Sequence, residues 1–150
     1  MEKNILGEQL SLTLQRFFPV APDKVWRAWT DPQALAQWFR PEASYSISIA
    51  EADVRVGGRF RILMVDGTGE KFDLAGVYRE VIAGRKLVMT WGWREKQPGH
   101  ESLLTVTLSP SNQGTRLELR HDGYVDMENQ LTHEQGWNGA LDKLESLLRK

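Results

Sequence analysis

The chain has 150 residues, 41% of them hydrophobic and 26% charged, with a formal net charge of −1 and no cysteine. This length supports one ordinary globular core, the charge balance offers no cationic patch for nucleic acid or an anionic membrane, and the missing cysteines exclude disulfides, thiolate nucleophiles and Cys-ligated metal sites. No apolar run approaches the roughly 20 residues of a bilayer-spanning helix, and MEKNILGEQL lacks the basic and apolar regions of a secretory signal, so the reading is a cytoplasmic protein with one domain over residues 1–150, of which 1–9 are an N-terminal extension.

From Leu10 to Phe18, LSLTLQRFF alternates apolar and polar residues and stops at Pro19, which predicts a half-buried strand. VWRAWTDPQALAQWF follows, with Pro22 and Pro32 each placed to open a helix and Asp31 placed to cap the second. Two short helices are expected, one presenting Val25, Trp26 and Trp29 on a face, the other Leu35, Trp38 and Phe39. The runs YSISIAEADV, GRFRILMV, KFDLAGVYREV, KLVMTWGW, SLLTVTLS and TRLELRH then read as strands. They are separated by GG, DGTG, AGR, KQPG and SNQG, whose glycines are expected to supply the positive φ or sharp reversal of each turn. Connections this short favour antiparallel neighbours. Thr132 and Gln135 have capping-box spacing, and Trp137, Ala140, Leu141, Leu144 and Leu148 form the apolar stripe of a long final helix.

This order gives an α+β fold, an antiparallel sheet of about seven strands covered by one long helix. A twisted sheet of that width curls, and a single helix is too narrow to fill its concave face, so a cavity between sheet and helix is expected. Alternation assigns the faces. Phe60, Ile62 and Met64 point one way; Leu87, Met89, Trp91 and Trp93 are in phase; Leu117, Leu119 and His121 oppose Arg116, Glu118 and Arg120. Phe72, Leu74, Gly76 and Tyr78 follow the same parity. Core packing explains any one of these side chains; the ensemble of aromatics and methionines is what suits an adaptable apolar pocket. Gly136 and Gly139 flank Trp137, each costing about 1 kcal/mol in a helix interior, which predicts either close approach of the helix to the sheet or a ligand, or a frayed first turn.

Motifs that would name a reaction are missing. His100, His121 and His133 are isolated and match no metal-ligand spacing, so no metal and no cofactor is assigned. Neither a GxSxG elbow nor a phosphate-binding glycine loop is present. His121 and Asp122, beside Tyr124, offer the one candidate acid–base pair, and Glu51 with Asp53 is better explained by charge pairing with Arg55 or Arg59.

PVAPDKVWRAWTDPQALAQWF, DVRVGGRFRI, GVYREVIAGRKLVMTW, LTVTLSPSNQGTRLELRHDGY and GWNGALDKLESLL together resemble, in order and spacing, the family of homologues of the heat-shock-protein-ninety ATPase activator. That family lies within the START-like, polyketide-cyclase and birch-allergen-like superfamily. The resemblance covers nearly the whole chain from Leu10 onward. It implies a helix-grip fold, a curved antiparallel sheet around a long C-terminal helix with two short helices after the first strand. Members of the superfamily bind hydrophobic ligands, stimulate a chaperone, confer self-resistance to natural products, or act as ring-forming or dehydrating enzymes. The eukaryotic co-chaperone resembles this sequence only in its C-terminal domain and has a further N-terminal domain, which makes chaperone stimulation the weaker expectation.

The reading that follows is a protein binding a small apolar or aromatic molecule between sheet and helix. Its expected contacts are Trp38, Phe60, Met64, Tyr78, Met89, Trp91, His121, Tyr124, Trp137 and Leu141, with His121 or Tyr124 orienting the ligand and Trp26 and Trp29 left to packing. The alternatives are a cyclase- or hydrolase-like enzyme using His121 with Asp122, and a co-chaperone-like interaction role. A homodimer through the exposed sheet edges stays open.

Overall fold

The structure, a computed structural model, describes residues 10–93, 102–124 and 127–149, the side chains of Leu10, Tyr124 and 127–130 lying outside that description. The elements follow the order β1 (Leu10–Phe18), α1 (Pro22–Thr30), α2 (Pro32–Trp38), β2 (Ser46–Ala52), β3 (Arg59–Val65), β4 (Lys71–Ile82), β5 (Lys86–Trp93), β6 (Ser102–Ser111), β7 (Gly114–Tyr124) and α3 (Met127–Leu148). All seven strands form one antiparallel sheet in the order β1-β7-β6-β5-β4-β3-β2. Register shifts between Ile47 and Ile49 and between Tyr78 and Glu80 mark bulges, and bulges bend and twist a sheet. The bent sheet packs its inner face on α3, the helix-grip arrangement.

Each assigned face is the observed one. Phe60, Ile62, Met64, Leu74, Tyr78, Leu87, Met89, Trp91, Leu117, Leu119 and His121 are buried, whereas Arg116, Glu118 and Arg120 are exposed. The stripe of Trp137, Ala140, Leu141, Leu144 and Leu148 is buried against them. Asp31 caps α2 through its side chain, which accepts from the Gln33 amide at 3.0 Å. Arg16 on β1 ties down α3 by donating from Nη1 to Asp142 and from Nη2 to Asn138 Oδ1, both at 3.0 Å. On the outer face, Arg61 grips the buried carboxylate of Asp73 with Nε and Nη2, at 3.0 and 2.9 Å.

Three local expectations need correction. Thr132 was expected to open the last helix, but α3 already begins at Met127; MENQL contains no glycine, proline or β-branched residue to stop it. In the β6–β7 hairpin the positive φ falls on Asn112 (46°) and Gln113 (64°), because a two-residue loop of matching twist needs a left-handed pair at its centre. Gly114 instead permits a close approach, since a Cβ there would sit 2.4 Å from the Phe18 carbonyl oxygen. Finally, Gly139 is used for contact with neither sheet nor ligand: a Cβ on it would lie 2.1 Å from the carbonyl oxygen of Pro41, so the segment leaving α2 rests directly on α3. The KQPG turn lies outside the described residues. Among the described residues no helix is long and apolar enough to cross a membrane.

Candidate functional site

The inner face ends in an aromatic interior where five elements meet. β5 contributes Trp91 and Trp93, β7 His121, α3 Trp137 and His133, α1 Trp29 and α2 Trp38, with Phe39 directly after α2. Trp91 is at the centre, with ring centroids 5.0 Å from His121, 5.2 Å from Trp137, 5.8 Å from Phe39 and 6.0 Å from Trp93. Trp29 joins from α1, 4.8 Å from Trp38 and stacked at 6.0 Å on Trp137. A second arm leads away from Trp93 through Phe72 to Tyr45. Edge-to-face and tilted pairs of this kind add to simple area burial.

His121 is fully buried, and its ring is fixed at both nitrogens. The Trp137 indole N–H donates to Nδ1 at 3.1 Å, and Nε2 lies 2.7 Å from Ser102 Oγ. An indole nitrogen can only donate, so Nδ1 is the acceptor and the neutral imidazole carries its proton on Nε2, donating to Ser102. The hydroxyl of Ser102 in turn reaches the Trp91 carbonyl at 3.4 Å. Burial first, and then the charge of His133, lower the pKa of His121 to about 3. This imidazole is a neutral bracket joining α3, β7 and β6. Asp122 points to the other face of β7, where it accepts from Arg120 Nε at 2.9 Å, so the expected His121–Asp122 acid–base pair is not assembled.

The other expected contacts divide between two regions. Trp91, His121 and Trp137 touch one another. Phe60 and Tyr78 form a separate pair with centroids 5.7 Å apart, farther along the sheet, where Tyr78 stands opposite Met89. Burial, and secondarily Asp53, push the Tyr78 phenol well above its ordinary range, so it is neutral. Met64 and Leu141 are buried in the core. Trp38, expected near a cavity mouth, is completely enclosed, and its indole N–H donates to the Ala28 carbonyl at 2.9 Å, bracing α2 against α1. Tyr124 closes β7, with its side chain outside the described residues.

Three donors in this region have no acceptor among the described residues: Trp29 Nε1, Trp91 Nε1 and Arg40 Nε, each shielded from solvent. Trp29 is 3% and Trp91 6% exposed. Leaving such a donor unmatched costs about 1–3 kcal/mol. The sequence leaves Trp29 mainly to packing and does not single out Arg40. Arg40 follows the apolar pair Trp38 and Phe39 directly, and a cation continuing a buried run was its only sequence signal. Ser102 was missed too, although it is the one hydroxyl in phase with inward Leu104, Val106 and Leu108.

A cleft of about 330 Å³ lies at the opposite end of α3, lined by Phe18, Pro19, Val20, Lys24, Glu145, Leu148 and Arg149. No expected contact borders it.

The structure resembles several solved ones. A protein from Chromobacterium violaceum is 28% identical with a TM-score of 0.86, the match covering 93% of this chain and 97% of that one. A protein from Nitrosomonas europaea is 31% identical, with a TM-score of 0.80 and coverage of 93% and 94%. An AHSA1 protein from Silicibacter pomeroyi is 30% identical, with a TM-score of 0.83 and coverage of 93% and 98%. Among curated proteins none matches the chain. The family model described as activator of Hsp90 ATPase homolog 1-like protein matches residues 19–149, and with the helix-grip fold and these structural relatives it establishes that the chain belongs to that family.

Proposed function

We propose that this protein binds a small aromatic or apolar molecule between the sheet and α3, at the aromatic interior around Trp91. The observation that carries the reading is the pair of shielded indole donors, Trp29 Nε1 and Trp91 Nε1, without acceptors among the described residues. Two further indole hydrogens of the same cluster, on Trp38 and Trp137, are matched by Ala28 O and His121 Nδ1. The fold therefore satisfies its interior donors where they brace one element on another, and leaves two that a ligand carrying an acceptor would complete. Aromatic walls with a few fixed polar groups are what small-molecule sites are made of. The engaged nitrogens of His121 favour binding over acid–base chemistry at this place.

A thermal-shift screen of small aromatic compounds, followed by chemical-shift mapping, tests the reading. A compound present at 100 times its Kd stabilises by about 2.7 kcal/mol, a rise of roughly 5–11 °C for a chain of this size. Hits should perturb the resonances of Trp91 and its neighbours. No hit among such compounds would contradict the reading, and hits that perturb only Val20 and Leu148 would transfer binding to the distal cleft.

A further inference from the structure

The segment joining α2 to β2 carries Phe39, Arg40, Pro41 and Tyr45, and its two aromatic rings pack on the aromatic interior and its second arm. Phe39 inserts its ring between Trp29, Trp91 and Trp137, with centroids 6.2, 5.8 and 5.6 Å away. Tyr45 belongs to the second arm, its ring 5.8 Å from Phe72. Arg40 is held between these two anchors. Its Nη1 donates to the Tyr45 carbonyl at 3.2 Å, and its own amide donates to the Trp38 carbonyl at 2.7 Å. Among the described residues Arg40 has no carboxylate partner, and its Nε is shielded from solvent without an acceptor.

The engaged nitrogen decides what is left over. With Nη1 committed to the backbone, the remaining edge of the guanidinium is the one formed by Nε and Nη2. Two parallel N–H groups on that edge match the two oxygens of a carboxylate. The same chain displays the pairing elsewhere, where Arg61 uses Nε and Nη2 to hold Asp73 at 3.0 and 2.9 Å. On this edge of Arg40, Nε is shielded from solvent, and the Nη1 bond to the Tyr45 carbonyl restrains the guanidinium. Among the described residues, every buried unmatched polar side-chain atom is also a donor: Arg40 Nε, Trp29 Nε1 and Trp91 Nε1. A cation with a free fork and two indole donors select for negative charge and oxygen acceptors, and select against an amine.

We infer that the ligand of this protein is an aromatic carboxylate, its ring against Trp91 and its carboxylate gripped by the Nε–Nη2 edge of Arg40. This rests on the proposed binding role and specifies the chemistry of the molecule bound. Arg40 is a specificity-determining residue in that role, since it sets which charge is accepted while the aromatic walls supply the general affinity.

Isothermal titration with 1-naphthoate and with 1-methylnaphthalene tests it. Wild-type protein should bind 1-naphthoate about tenfold or more tightly than the neutral probe, the scale of one charge-assisted pair. Arg40→Gln should abolish that preference, with thermal denaturation showing separately that the variant is folded. Arg40→Lys keeps the charge without the fork and should retain only part of the preference. Equal binding of the two probes by the wild type, or a full preference surviving in either variant, would overturn the carboxylate assignment and leave the binding role standing. Failure of both probes to bind the wild type would remove the binding role and the carboxylate assignment together.

Discussion

Acidification from pH 7 to pH 5 should weaken this protein through His121 by an amount that the structure fixes. The imidazole is enclosed between the Trp137 indole and Ser102, and a proton added at Nδ1 would face the indole hydrogen, donor against donor. Its folded pKa is lowered to about 3, by burial first and by His133 second, while an imidazole in the unfolded chain titrates near 6.5. Between those values the unfolded chain takes up a proton that the folded chain refuses. Stability is therefore fully present above about pH 6.5 and falls as the pH drops towards 3. With about 1.36 kcal/mol per pH unit, the loss at pH 5 is about 2 kcal/mol, a fall of roughly 4–8 °C in Tm. Any folded pKa below about 4 gives the same figure, because the folded imidazole has then not begun to titrate at pH 5. Urea denaturation of the wild type and of His121→Gln at pH 7, 6 and 5 isolates the effect. Whatever the substitution costs at pH 7, the gap between the two proteins should narrow by about 2 kcal/mol at pH 5. A gap that stays constant would refute the assignment of His121 as a neutral bracket, as would an imidazole carrying both ring protons at pH 5 by NMR.

The two glycines of α3 should respond in opposite directions. Gly139→Ala places a Cβ against the Pro41 carbonyl and should cost about 1–3 kcal/mol, whereas Gly136→Ala meets only the Pro41 Cβ, at 3.5 Å, and should gain up to about 1 kcal/mol in helix propensity; thermal denaturation of both variants decides it, and similar effects of the two would contradict the close approach. Asp73→Ala should cost about 2 kcal/mol, since it removes the buried carboxylate that accepts from both Nε and Nη2 of Arg61. A double-mutant cycle of Arg61→Ala and Asp73→Ala gives the coupling. Equal stability of wild type and Asp73→Ala would contradict the bidentate pair.

The alternation of LSLTLQRFF, GRFRILMV and TRLELRH disclosed the sheet and its inner face, because side-chain direction in a strand follows from period two alone. Asp31 before Pro32 was equally legible, since a cap and its amide are two residues apart. The start of α3 was not, because Thr132 and Gln135 have cap spacing whether or not the helix has already begun. The use of Gly139 was hidden for a different reason: its neighbour Pro41 is remote in sequence, and only the packing of α2 on α3 brings them together. The candidate site shows the same division. Trp91, His121 and Trp137 were recognisable as inward-facing residues, yet nothing in their spacing tells which indole hydrogen finds an acceptor. Trp38, expected to be available, is spent on Ala28 O, and Trp29, expected to be packing, retains its donor. Arg40 gains meaning only when Tyr45 O is seen to occupy Nη1.

The most direct measurement of the central claim is a proton–nitrogen NMR spectrum of the indole groups during titration with 1-naphthoate. The chain has six tryptophans, and single Trp→Phe variants assign their indole signals. Binding at the aromatic interior predicts large shifts for Trp29 and Trp91, the donors that lack acceptors among the described residues, with Trp38 and Trp137 held by Ala28 O and His121. Saturable binding that leaves Trp29 and Trp91 unmoved would contradict it.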